Sequence, residues 1–186
     1  MSHVTQGALL AVFLGMCLGI SSAEAAKHGA PMQKETSFLM TAAEGQQAEI
    51  ALGRMAMERA ESEKVKQFAQ RMIEDHTKAG QEVSKLASTA GISMPEELTP
   101  KQQKSAGTFS QLSGKDFDHA YIQHELNDHK KNVAMFEAHA KKLKDPQIRQ
   151  WASATIPVLK EHATIAKGLA ADLKNGSKKT PAKHSR

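Results

Sequence analysis

The chain has 186 residues, a formal net charge of +5 and a single cysteine, which is the length of one ordinary domain. Cys17 falls inside an apolar run that reads as a removable export signal, so the mature chain is expected to carry no thiol. Disulfides, thiolate metal sites and cysteine nucleophiles are thereby excluded.

Residues 8–20 (ALLAVFLGMCLGI) form the apolar run, followed by Ser21-Ser22 and then Ala23-Glu24-Ala25. That last triplet is the small-x-small pattern signal peptidase accepts. A run of about 13 residues is shorter than the roughly 20 a spanning helix needs. Residues 1–25 are therefore expected to be a signal peptide cleaved near Ala25. This implies a periplasmic or otherwise exported protein whose mature form has no transmembrane span. Residues 26–35 read as a flexible N-terminal segment.

Four stretches carry apolar residues at alternating steps of three and four, which line one side of a helix. Residues 36–60 place Leu39, Ala43, Ile50, Gly53, Met57 and Ala60 on such a stripe. Residues 63–90 place Val65, Ala69, Met72, Ala79, Val83 and Leu86 on another, ended by Gly91. Residues 91–114 form a long connection in which Thr99-Pro100 starts a short extra helix. Ser113-Gly114-Lys115-Asp116 has the spacing of a capping box before a third stretch, 115–143. Asp145-Pro146 opens the fourth, 146–173, which contains Pro157 and is expected to stop at Asn175-Gly176. Short connections near Ser62 and Lys144 make two antiparallel hairpins. Residues 36–173 are thus expected to be an all-α, ferritin-like antiparallel four-helix bundle of two hairpins joined by a long connection. Residues 174–186 read as a basic disordered tail. Its Lys174, Lys178, Lys179, Lys183 and Arg186 account for the whole net charge. Such a tail suits contact with anionic envelope surfaces. No aromatic residues are interleaved with those charges, so no nucleic-acid partner is expected.

Three stripes are interrupted by the same residue type. His76, His129 and His162 each occupy a seam position, while Gln46 lies on the first seam with Glu49 beside it. At about 1.5 Å per residue, Glu49 and His76 lie roughly 20 Å from the first hairpin turn, and His129 and His162 roughly 25 Å from the second. All four then fall near mid-bundle. Asp75, Glu125, Asp128 and Glu161 accompany them as candidate supporting acids. Histidines and carboxylates converging inside a bundle suit iron, zinc, copper or manganese. A buried hydrogen-bonded network would use the same residues without a metal. His119, His124 and His139 lie off the main seam and are expected to be partly exposed. Met55, Met57, Met72 and Met135 read as core filler. No phosphate loop, G-x-S-x-G or H-E-x-x-H is present, and no catalytic role is expected.

Several segments resemble a known family. They are Thr41 to Ile50 (TAAEGQQAEI), Phe68 to Ala79 (FAQRMIEDHTKA), Asp128-His129 and Leu159 to His162 (LKEH). The sequence is similar to exported bacterial proteins with a ferritin-like domain of unknown function, family 4142, often labelled predicted outer-membrane proteins. Nothing in the chain has the alternating strands of a membrane barrel. Ferritin-like di-iron enzymes carry Glu-x-x-His on two helices, and this sequence has none. Two readings stand. One is an exported bundle that binds a transition-metal ion through Glu49, His76, His129 and His162. The other is a metal-free envelope interaction or stress-related scaffold.

Overall fold

A computed structural model describes residues 33–179 as five helices, with no strand among those residues. The signal peptide and most of the N-terminal segment expected from sequence, and residues 180–186 of the tail, lie outside the described residues. Helices α1 (Gln33–Arg59) and α2 (Glu63–Thr89) form one hairpin, and α4 (Gly114–Ala140) and α5 (Pro146–Lys179) the other. The short α3 (Pro100–Phe109) sits in the connection between them. Besides these pairings, α1 lies beside α4 and α2 beside α5, which closes the expected four-helix bundle. Among the described residues no helix is long and apolar enough to cross a membrane.

Each turn is held by an acid from the opposite hairpin. Asp118 of α4, 1% exposed, accepts the backbone N–H groups of Glu61 at 3.1 Å and Ser62 at 2.9 Å. Ser62 is the N-cap of α2, whose N–H has no intrahelical partner, and Glu61 is the turn residue before it. At the other end, buried Glu35 of α1 accepts the N–H of Lys144 at 2.7 Å in the second turn. Helix α1 therefore begins at Gln33, inside the segment that composition assigned to a flexible leader, because Glu35 has a fixed partner there.

Local chemistry explains the other boundaries. Helix α2 stops as expected at Gly91, which adopts φ +69°. The Gly91 N–H then bonds Ser88 and the Ile92 N–H bonds Ala87, the two bonds of a Schellman ending. Asp145 accepts from the N–H groups of Gln147 and Ile148 at the start of α5. The capping box expected at Ser113 is absent. Ser113 makes no side-chain cap bond and Gly114 turns with φ +60°. The capping box occurs instead at Thr99, whose hydroxyl accepts from Gln102 N while Gln102 Oε1 accepts from Thr99 N. Helix α5 passes Asn175 and Gly176 to Lys179, because Gly176 does not take the left-handed geometry that would end it. It also runs through Pro157, which lies on the exposed face.

The core is in two parts. Near the α1–α2 turn, Ala56, Val65, Phe68, Met72, Phe117, Tyr121 and Ile122 pack together. At the other end Phe38 meets Phe136 edge-on at 5.1 Å and Trp151 at 5.9 Å, and stacks on His139 at 5.0 Å. On α1 the buried face differs from the single stripe read from sequence. Leu52 and Ala56 are buried, Ile50 is half-buried and Met57 is 37% exposed. Contact with both α2 and α4 turns a wider arc of α1 inward, so Met57 is not core filler and Glu49 lies on the buried face itself.

Replacing Asp118 with Ala leaves the turn N–H groups of Glu61 and Ser62 without their acceptor, at a cost of about 2 kcal/mol. Chemical denaturation of the two proteins checks this. A change below about 0.5 kcal/mol would show that the cross-hairpin cap is unimportant.

Candidate metal centre

Between the two apolar clusters lies a layer of buried polar side chains: Gln46, Glu49, His76, Glu125, His129 and His162, all at most 5% exposed. The layer exists because each helix replaces a core residue by a polar one at the same height, as the spacing from the hairpin turns indicates. The three imidazole centroids are 5.2 to 5.6 Å apart. One ring nitrogen from each lies within 4.8 Å of the other two.

Hydrogen-bond partners fix the tautomers. His129 Nδ1 donates to the Glu125 carbonyl at 3.0 Å, since a carbonyl can only accept. His162 Nε2 donates to the Asp75 carboxylate at 2.8 Å. His76 Nδ1 donates to Gln46 Oε1 at 2.7 Å. Every donor points outward. The remaining nitrogens, His76 Nε2, His129 Nε2 and His162 Nδ1, carry lone pairs. His162 Nδ1 faces His129 Nε2 at 3.3 Å, and His76 Nε2 is buried with no hydrogen-bond partner. Two facing acceptors repel unless a proton or a cation lies between them. Burial lowers the pKa of all three rings: His129 falls to about 4, and His76 well below the ordinary value. For His76, the charges of His129 and His162 add to the effect of burial. Protonation is therefore disfavoured at neutral pH.

The acids do not serve their sequence neighbours. Asp75 holds His162 on α5, not the adjacent His76. Burial pushes Asp75 upward, but its bonds to His162 and Arg71 hold its pKa below the ordinary value. Arg71 Nε reaches Asp75 at 3.2 Å and its terminal nitrogen reaches Glu161 at 2.8 Å, so Glu161 is tied to the layer through Arg71, and its charge also acts on His162. Glu125, one turn before His129, presents Oε2 3.4 Å from His129 Nδ1. Asp128 accepts from Asn132 Nδ2 at 2.8 Å and lies within hydrogen-bond reach of Glu49. Arg71 and the contact of Gln46 with His76 were not anticipated from sequence.

Glu49 belongs to a second set. It meets Glu125 and His129, with one ligand atom of each within 4.8 Å of the others. It is absent from the grouping of His76, His129 and His162. Beyond His129 Nδ1 at 3.4 Å and the proton the two carboxyls share, no protein donor reaches Glu49 Oε2 or either Glu125 oxygen. Burial, with the Asp128 charge adding to it, pushes the Glu49 carboxyl up to about 8, and burial with the Glu49 charge raises Glu125 well above its ordinary value. The pair therefore shares a proton in the absence of a cation. Glu49, His124 and Asp128 border a cavity of about 370 Å³ between α1, α3 and α4. Of the off-seam histidines, His124 and His139 are half-buried and His119 is exposed.

The sequence profile of a family described as Domain of unknown function (DUF4142) matches residues 21–169. The chain belongs to the DUF4142 family. A crystal structure of a DUF305 fragment from Deinococcus radiodurans superposes with a TM-score of 0.68 at 13% identity, covering 76% of this chain and 98% of that one. That likeness is one of fold. No match is found among curated proteins. Within the DUF4142 chain, the second-helix segment that carries the resemblance contains Phe68, Met72, Asp75 and His76. It thus supplies both core and polar-layer residues.

The raised Glu49 carboxyl gives a pH dependence with a definite sign. An acid whose pKa rises on folding contributes stability fully below its unfolded value, and that contribution is lost as pH climbs through the folded one. For Glu49 the window runs from 4.5 to about 8. The buried neutral histidines act oppositely, losing stability as pH falls, and for His129 that window runs from 6.5 to about 4. Above 6.5 these rings drop out and the carboxyl pair remains. Metal-free protein should therefore lose thermal stability between pH 6.5 and 8, and Glu49→Gln should flatten that slope. An unchanged slope in the variant contradicts the assignment.

Proposed function

We propose that this DUF4142 protein is an exported metal-binding bundle in which His76, His129 and His162 hold one first-row transition-metal ion. The observation that carries the reading is the orientation of the rings. A purely structural network pairs donors with acceptors. Here the N–H groups of all three rings are spent outward on Gln46, the Glu125 carbonyl and Asp75. The nitrogens left over are acceptors: His162 Nδ1 facing His129 Nε2, and the buried, unpartnered His76 Nε2. Imidazole ligands bonded at 2.0–2.1 Å in a tetrahedral set stand roughly 3.3 Å apart, and His162 Nδ1 and His129 Nε2 stand at 3.3 Å.

The outward partners are those a metal-binding histidine uses to fix its tautomer and strengthen its lone pair. Three neutral imidazoles suit zinc, copper or iron better than manganese. The structural alternative is a metal-free scaffold in which Asp75 stabilises a protonated His162, whose Nδ1–H then bonds His129.

Export rests on residues 1–25, whose apolar run and Ala23-Glu24-Ala25 end suit signal peptidase. The basic residues from Lys174 onward are suited to weak contact with anionic envelope surfaces. Protein recovered from the periplasm should have an intact mass beginning at Ala26, and a mass that includes Met1 contradicts processing.

Ligand binding to the folded state alone stabilises it by about 2.7 kcal/mol at a hundred times the dissociation constant. Added zinc or copper should accordingly raise the melting temperature at pH 7.5, and a chelator should reverse the rise. His162→Ala should remove the response, and Asp75→Asn should weaken metal affinity about 10- to 100-fold. A melting temperature indifferent to zinc, copper, iron and manganese refutes the metal reading and leaves the scaffold.

A further inference from the structure

The carboxylates behind His129 are not needed to close the three-histidine set. His129 presents Nε2 to His162 and Nδ1 to the Glu125 side, so the two groups lie on opposite edges of one ring. We propose that Glu49 and Glu125, with Asp128 within hydrogen-bond reach of Glu49, form a second cation site at the inner wall of the cavity between α1, α3 and α4. Its ligands are oxygen atoms, which suit a hard divalent ion such as manganese or magnesium. The inference rests on the three-histidine reading only in making the centre a two-metal one, because the carboxylates and the cavity exist independently of it.

Three observations converge. Glu125 is 0% and Glu49 5% exposed, and apart from the proton the pair shares, no hydrogen bond reaches Glu49 Oε2 or either Glu125 oxygen. Tyr121, also 0% exposed, has a hydroxyl without a partner, and it lies close enough to Glu125 and Glu49 for their charges to raise its pKa, after burial itself. A third buried polar group near the same carboxylates is thus left without a hydrogen bond. Finally, Glu49 and Asp128 line the cavity while Glu125 lies behind Glu49. An ion can enter there and keep water on its open side, as manganese and magnesium do with few protein ligands. A cation replaces the shared proton and turns the orphaned oxygens into ligands.

The test uses full-length mature protein loaded with one equivalent of zinc, titrated with manganese, with free manganese counted by electron paramagnetic resonance. The expected result is one manganese bound per chain while the zinc stays in place. Glu125→Gln and Glu49→Gln, which keep side-chain shape, should each weaken manganese binding at least 10-fold without releasing zinc. His162→Ala should release zinc and retain manganese. If zinc is retained and wild-type protein binds no manganese, the second site is refuted and the three-histidine reading stands. Manganese binding that neither glutamate variant weakens also refutes it, since the ion then sits elsewhere. Loss of zinc alone, with manganese bound, refutes the three-histidine reading and leaves the carboxylate site.

Discussion

Everything in this bundle is arranged around a polar layer that apolar packing alone cannot satisfy. Burying a polar group without a partner costs free energy, and here six such side chains are stacked between two apolar clusters. The three histidines each spend one nitrogen on an outer partner, Gln46, the Glu125 carbonyl and Asp75. Their other nitrogens are left as acceptors. That asymmetry separates this layer from an ordinary buried network, and the metal reading follows from it.

The asymmetry also explains how the hairpins are registered. His162 on α5 is held by Asp75 on α2, and Arg71 ties that same acid to Glu161. Asp118 and Glu35 fix the two ends by reaching across to the opposite hairpin's turn. A slide of one hairpin along the other would break the cap contacts at both ends and the polar pairing at the middle together. The apolar clusters supply the bulk of the burial, whereas the polar contacts select one register from the several that apolar stripes would tolerate.

Much of this was legible in the sequence because a histidine in an apolar stripe is conspicuous. His76, His129 and His162 each interrupt a period-3.6 pattern, and helix rise placed them at one level. Glu125 was legible as a residue one turn ahead of His129. The partners were not. Adjacent pairs such as Asp75-His76 and Glu161-His162 suggested that each acid serves its neighbour. Consecutive residues on a helix point about 100° apart, so Asp75 serves a ring on another helix instead. Glu49 was placed beside the seam because a single stripe was fitted to α1, whereas α1 buries an arc facing both α2 and α4. The stop at Asn175-Gly176 failed for a related reason: a glycine ends a helix only where it turns left-handed, as Gly91 does and Gly176 does not.

The central claim is that three imidazole lone pairs converge on one metal ion. X-ray absorption at the metal edge, on protein purified from its native source without added metal, tests it most directly. The account predicts about three nitrogen scatterers at 2.0–2.1 Å with the outer-shell pattern of imidazole rings, lost in His76→Ala. Protein that is metal-free as isolated and stays so after incubation with zinc or copper would contradict it, as would a bound metal whose spectrum shows only oxygen ligands.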